Sequence, residues 1–346
     1  MSFDPGNSHA INIHSAGHFP THFTNTHKHM FSCFFGSCFR RSETMTLTVD
    51  EIINAVEPAM GDRNDKSRYT RIMKIGSGSF AKVWKAIDTH TKEYVAMKIS
   101  SSQHTNSALE KEFFILKKMN NPHIISPIAF YYDRRALVTT HLILPFMKKD
   151  LFTHVVEEKR DMSDEELRKL VIDIADAIKH VHDLDLVHRD IKPENILIDD
   201  NGDYVLCDFG NADKDGLFNL NGLIGSVHYM APEVAYAYLK RNRNTTPFAI
   251  GKQTDIFSFG MTLYNVATLT MGGADPTNQS DTAFIDKISS FDMMPQVDKI
   301  FDRSDAFKDL LKMMLYRSPV ARITIDEILA HPFVTGSDAI LTTGPM

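Results

Sequence analysis

Between Ser163 and His182 the apolar residues Leu167, Leu170, Val171, Ile174, Ile178 and Val181 recur at spacings of three and four, a single stripe along a helix. Ser163 stands before it as a capping residue, with Asp164, Glu165 and Glu166 as first-turn acids. Upstream the pattern changes. Ile72–Ile75, Lys82–Asp88 and Glu93–Ile99 are short β segments separated by a Gly-rich turn and a Thr/His-containing turn. Ser107–Met119 follows as a helix, with Pro122 beyond its end. A weak helical pattern (Leu47, Ile52, Ile53, Val56) ends near Pro58 and suggests no function. The chain thus divides into a small β-rich unit and a larger helical one, without internal repeats.

Length supports this division, since 346 residues allow about two compact units. The 38 Lys+Arg against 44 Asp+Glu give a formal net charge of −6, which lacks the basic excess of a general nucleic-acid binder. Three cysteines, Cys33, Cys38 and Cys207, exclude a disulfide-dense scaffold and a four-cysteine zinc site. The longest apolar runs reach about ten residues, short of the roughly 20 that span a bilayer, so no transmembrane segment is expected. The expected compartment is cytoplasmic, with nuclear or peripheral-membrane association left open. Residues 1–41 hold one acid, Asp4, and six histidines, with no apolar period. Such a segment buries too little surface to offset its ordering entropy, and residues 1–66 are read as a disordered N-terminal extension. Metal ligation by its histidines, or acylation of Cys33 or Cys38 beside Arg40 and Arg41, are the less favoured readings.

Candidate chemistry begins at Gly76-Ser77-Gly78-Ser79-Phe80-Ala81-Lys82-Val83, between two strand segments. Glycines let a backbone approach phosphates closely, although a plain hairpin turn explains this stretch equally well. Ala81 stands where a third glycine would complete G-x-G-x-x-G. Lys98 ends the apolar strand segment Val95-Ala96-Met97. On a buried face it needs an anion; the alternative is an exposed lysine at a strand edge. The next helix offers Glu110 and Glu112, roughly 200° apart, so only one can face it. Glu112 is chosen because Phe113, Leu116 and Met119 mark the inward face.

The stretch His188-Arg189-Asp190-Ile191-Lys192-Pro193-Glu194-Asn195 precedes Asp208-Phe209-Gly210 and Ala231-Pro232-Glu233. In this order, with the Gly-rich loop and strand lysine upstream, the chain resembles the eukaryotic-type protein kinases over residues 69 to 334. The resemblance implies an α+β fold in two lobes, an N-lobe over 67–147 and a mostly helical C-lobe over 148–334, then a tail, 335–346. It implies transfer of the γ-phosphate of ATP to Ser/Thr hydroxyls of protein substrates, with Mg2+, or else Mn2+, at the phosphates.

By the same resemblance Asp190 is the catalytic aspartate. Lys192 reaches the transferring phosphate and is the residue type of Ser/Thr-specific members. Asn195 and Asp208 ligate the metal, and Lys98, paired with Glu112, holds the α- and β-phosphates. Ile75, Gly76, Ser77, Gly78, Ser79, Phe80 and Ala81 would cover the nucleotide. Val83, Ala96 and Leu197 would sandwich adenine beside the gatekeeper Leu144. Pro145 has no N–H to offer, but this hinge position is expected to give only its carbonyl, and Met147 to supply the donor. Asp150 is a ribose candidate. Arg322 should pair with Glu233, and Phe257 stands where tryptophan is usual. Lys240–Pro247 reads as a solvated insertion, with a docking site as the less favoured reading. The competing class is a pseudokinase, a scaffold or allosteric partner without chemistry; it usually lacks one of the residue types found at Lys98, Asp190, Asn195 and Asp208.

Arg189 beside Asp190 marks kinases whose activation loop is commonly ordered by a phosphate pairing with that arginine. Residues 211–225 contain no Ser, Thr or Tyr, and Ser226 is the first hydroxyl. The loop is therefore expected to order without phosphorylation, by packing of Leu217, Phe218, Leu220, Leu223 and Ile224, aided by Asp213 or Asp215 near Arg189. Control would then fall to abundance, location or a regulatory partner.

Overall fold

The computed structural model describes residues 68–78, 81–100, 105–133, 139–216, 225–240, 251–270 and 281–337. The expectations for residues 1–66, for Ser79 and Phe80, for the packing of 217–224 and for the 241–247 insertion lie outside these residues.

Five strands form an antiparallel sheet in the order β1-β2-β3-β5-β4. They are β1 (Tyr69–Ser77), β2 (Ala81–Asp88), β3 (Tyr94–Ser100), β4 (Ala129–Asp133) and β5 (Thr139–Pro145). β1 is longer than its apolar core Ile72–Ile75 suggests. Residues 70–74 are exposed and the register shifts twice, so no clean alternation marks its ends.

Cross-strand partners share a face and neighbours along a strand do not. The register pairs Val83 with Lys98, Lys98 with Leu142, and Ala96 with Leu144, placing all five on one face. Helix α1 (Asn106–Leu116) packs on that side, where Leu109, Phe113 and Leu116 join Phe130 and Leu142 in the main core. The rings of Phe113 and Phe130 stack at 4.8 Å. The opposite face carries a separate cluster of Tyr69, Ala86, Val95, Met97 and Ile143. Trp84, the only tryptophan in the chain, packs against that cluster, with the Arg71 guanidinium 5.2 Å from its ring centroid.

The larger lobe is helical: α2 (Asp164–Asp183), α3 (Pro232–Lys240), α4 (Lys252–Thr268), α5 (Asp281–Ser290), α6 (Met294–Val297), α7 (Asp305–Met314), α8 (Ile325–Ala330) and α9 (Pro332–Thr335). Two short sheets lie beside the helices. One is β6 (Lys149–Asp150), β8 (Ile196–Ile198) and β9 (Tyr204–Leu206); the other pairs β7 (Leu186–Val187) with β10 (Asp213–Lys214). α2 starts in a reciprocal capping box, Glu166 N donating to Ser163 Oγ at 3.2 Å and Ser163 N to Glu166 Oε2 at 2.9 Å. Its apolar stripe is fully buried. α4 is buried almost all round, so it lacks a polar face. Gly260 lets it approach α7 closely: a Cβ there would lie 2.9 Å from Leu315 Cδ2. None of the helices among the described residues is long and apolar enough to cross a membrane.

Glu233, on α3, meets Arg322 in a buried bidentate pair at 2.8 and 3.0 Å. Arg322 also donates to the carbonyls of Tyr316 and Gln253 and lies 5.0 Å from the Phe257 ring centroid. Glu233→Ala should destabilise the protein by about 3–5 kcal/mol, because it strands a buried guanidinium. Denaturant unfolding checks this, and an unchanged midpoint would contradict it.

Candidate active site

Strand alternation turns Lys98 inward, beneath α1. Its Nζ donates to Glu112 Oε1 at 2.6 Å and to Asp208 Oδ1 at 2.8 Å. Glu112 is buried, whereas Glu110 accepts the Tyr132 hydroxyl at 2.9 Å, which settles the choice between them. Burial opposes the charge on Lys98, but Glu112 and Asp208 outweigh it and hold the ammonium's pKa above the ordinary lysine value. Lys98 in turn draws the Asp208 carboxyl below the usual carboxylate range, against burial. Asp208 has a left-handed backbone, φ 63°.

The loop after β7 is anchored from α4. Asp255, fully buried, accepts the main-chain N–H of His188 at 2.8 Å and of Arg189 at 2.9 Å, and His182 Nε2 lies 2.9 Å from it. These bonds hold Arg189 in its left-handed conformation, φ 68°. His188 is a satisfied core histidine: its Nε2 lies 3.0 Å from the Cys207 carbonyl oxygen and its ring meets Phe209 edge-on.

Asp190 emerges from this anchored loop nearly buried. Its Oδ1 accepts Ser226 N at 2.9 Å. Its Oδ2 faces Lys192 Nζ at 3.1 Å and Asn195 Nδ2 at 3.2 Å. Lys192 Nζ also donates to Ser226 Oγ at 2.7 Å. Asn195 Nδ2 donates to the Asp190 carbonyl at 2.7 Å, which orients the amide and leaves Oδ1 as an acceptor. Gly225, with φ 83°, brings this segment against the loop; a Cβ there would lie 2.4 Å from the Arg189 carbonyl oxygen.

The nucleotide candidates line the sheet face and the connection to the larger lobe. Gly76 faces Val83 across β1 and β2, and Gly78 N donates to the Ala81 carbonyl at 2.9 Å. Leu144 is buried and paired with Ala96, while Pro145 pairs with Val95 at the strand end. Met147 packs on the main core, and Leu197 faces Asp150 across β6 and β8. Asp150 also caps the following turn, accepting Thr153 N at 2.8 Å and Thr153 Oγ1 at 3.2 Å. Ile75 and Ser77 are both exposed on β1, with Gly76 half-buried between them.

Residue types alone do not fix the parts played by three contributors. The role of Asp255 as a double acceptor from the loop depends on the tertiary placement of α4. Gly225 is one of the chain's 17 glycines, distinguished only by its backbone and its neighbour. Of Asp213 and Asp215, Asp213 is the one that pairs with Arg189, at 3.0 Å.

The protein kinase domain family model matches residues 69–334. The probable serine/threonine-protein kinase pXi of Dictyostelium discoideum is 31% identical over 270 residues, covering 76% of this chain and 35% of its own length. The phosphorylase b kinase gamma catalytic chain, liver/testis isoform, of Bos taurus is 31% identical over 245 residues, 70% of this chain and 58% of its own. The SNF1-like protein kinase ssp2 of Schizosaccharomyces pombe is 32% identical over 271 residues, 75% and 42% respectively. The chain therefore spans between about a third and three-fifths of the length of these relatives.

Proposed function

The chain belongs to the protein kinase family, and from that premise we propose that it transfers the γ-phosphate of ATP to Ser/Thr hydroxyls of proteins. The observation that carries this reading is the convergence of Lys98, Glu112 and Asp208 by direct ion pairs. Beside them stands a second group in which Asp190, Lys192 and Asn195 share hydrogen bonds.

Phosphoryl transfer depends on alignment and on neutralising phosphate charge more than on covalent help. Lys98, kept charged and aimed by Glu112, holds the α- and β-phosphates. Asp190 orients the substrate hydroxyl and takes its proton; its carboxylate is held in place by Ser226 N and Asn195. Lys192, two residues on, meets the transferring phosphate. Val83, Ala96, Leu144 and Leu197 offer apolar surface for adenine, and Met147 the hinge N–H.

Asn195 Oδ1 and the partly exposed Asp208 carboxylate are hard oxygen donors that would fit Mg2+. Held by these residues, a divalent ion would supply positive charge against the nucleotide phosphates. These two residues would be its protein ligands. No observation favours the scaffold alternative, since Lys98, Asp190, Asn195 and Asp208 are all present.

Incubation with radiolabelled ATP and a generic basic protein, with and without Mg2+, tests the reading. Label on serine or threonine that requires the metal is expected; no incorporation would overturn it. Ala81 carries a smaller expectation. It begins β2 without the positive φ that demands glycine, and Gly differs from Ala in a strand by roughly 0.5–1 kcal/mol. Ala81→Gly should thus shift the KM for ATP only a few-fold; a large loss would show that this turn does not lie over the phosphates.

A further inference from the structure

Arg189 is the cation next to Asp190, and its side chain is only 7% exposed. A guanidinium buried this far needs an anion. Its Nε donates to the Asn211 carbonyl at 2.6 Å and its Nη2 to Asp213 Oδ2 at 3.0 Å. The same Oδ2 lies 3.0 Å from Lys111 Nζ. Lys111 immediately precedes Glu112 on α1. One carboxylate oxygen therefore joins the loop that carries Asp190 to the helix that aims Lys98.

Asp213 is itself held firmly. It sits on β10, where it pairs with Val187 on β7, and its other oxygen accepts Lys214 N at 3.0 Å. Its anchor is thus a strand pair at the base of the activation segment, whose sequence from Asn211 to Gly225 offers no hydroxyl.

We propose that Asp213 is a positioning residue whose carboxylate supplies, from within the chain, the negative charge that a phosphate on an activation loop would otherwise bring to Arg189. By also engaging Lys111 it sets the catalytic loop and α1 in one arrangement without modification. The inference rests on the kinase reading above. It extends that reading by naming the group that would make the enzyme active as synthesised.

The test measures kcat and KM for ATP in the full chain for wild type, Asp213→Asn, Asp213→Glu, Lys111→Gln and Lys111→Gln/Asp213→Asn, with thermal midpoints alongside. Asp213→Asn should lower kcat by roughly tenfold, the scale of one lost charge-assisted bond, with KM for ATP and the midpoint nearly unchanged. Asp213→Glu should restore more than half of kcat, and the double variant should be no worse than Asp213→Asn. Phosphatase treatment should leave wild-type kcat unchanged. The proposal is overturned by wild-type kcat in Asp213→Asn. It is also overturned by a loss that tracks the midpoint and is not restored by glutamate, by additive losses in the double variant, or by phosphatase inactivation traced to residues 211–230. If Asp213→Asn fails to fold, Lys111→Gln decides: a several-fold loss of kcat supports the link and none overturns it. Amide hydrogen exchange separates this inference from the kinase reading, because it needs no phosphotransfer. Asp213→Asn should speed exchange in α1 and residues 186–190 but not in α7 or α8, and unchanged exchange in α1 would overturn the link even where no phosphotransfer is detected.

Discussion

Asp190→Asn should lower phosphotransfer by roughly 10²–10⁴-fold, the usual range for loss of a general acid–base group, while ATP still binds. The surroundings of Asp190 make the substitution informative. Its two oxygens accept from Ser226 N, Lys192 Nζ and Asn195 Nδ2. An asparagine of the same shape keeps one acceptor oxygen but turns its amide nitrogen toward a donor and cannot take a proton. None of the strands β1, β2 or β3 that carry the adenine and phosphate candidates contacts Asp190 through these bonds, so nucleotide affinity should persist. Single-turnover transfer from radiolabelled ATP, paired with calorimetric ATP binding, measures both halves. Retention of more than about a tenth of wild-type turnover would remove Asp190 from the proposed role.

Asp208→Ala should be at least as damaging. Metal-assisted charge stabilisation supplies several kcal/mol, and 1.36 kcal/mol corresponds to tenfold in rate, so a loss beyond about a hundredfold is expected even at saturating Mg2+. The substitution also removes one of the two carboxylates that hold Lys98, leaving Glu112 at 2.6 Å. Because Glu112 remains, the lysine stays paired and the fold should stand. A Mg2+ titration of the variant checks this: activity equal to wild type at saturation would contradict the assignment of Asp208 as a metal ligand.

Much of this site is legible in the sequence because phosphate chemistry needs particular residue types close together along the chain. The alternation of β3 turns Lys98 inward, and the inward face of α1 selects Glu112 over Glu110. The helix at Ser163 is equally legible, since its cap, first-turn acids and apolar stripe all agree. What is not legible depends on tertiary approach. The exposed residues of β1 carry no pattern that marks its length. The two-residue strands β7 and β10 are too short to show a period, yet their pairing places Asp213 against Arg189. The carboxylate of Asp255 reaches the loop at His188 and Arg189 across 67 and 66 positions of chain, a link no local pattern contains.

Trp84 is the sole indole in the chain and lies on the face of the five-stranded sheet opposite α1. Intrinsic tryptophan emission from this protein therefore has one source, and it lies in the smaller lobe. Far-ultraviolet circular dichroism is weighted instead toward the helices, nearly all of which belong to the larger lobe. The two signals followed through one denaturant titration become a lobe-resolved pair of probes. Coincident transitions would mean that the lobes unfold as one cooperative unit, whereas an earlier emission change would mean that the sheet opens while the helices remain folded.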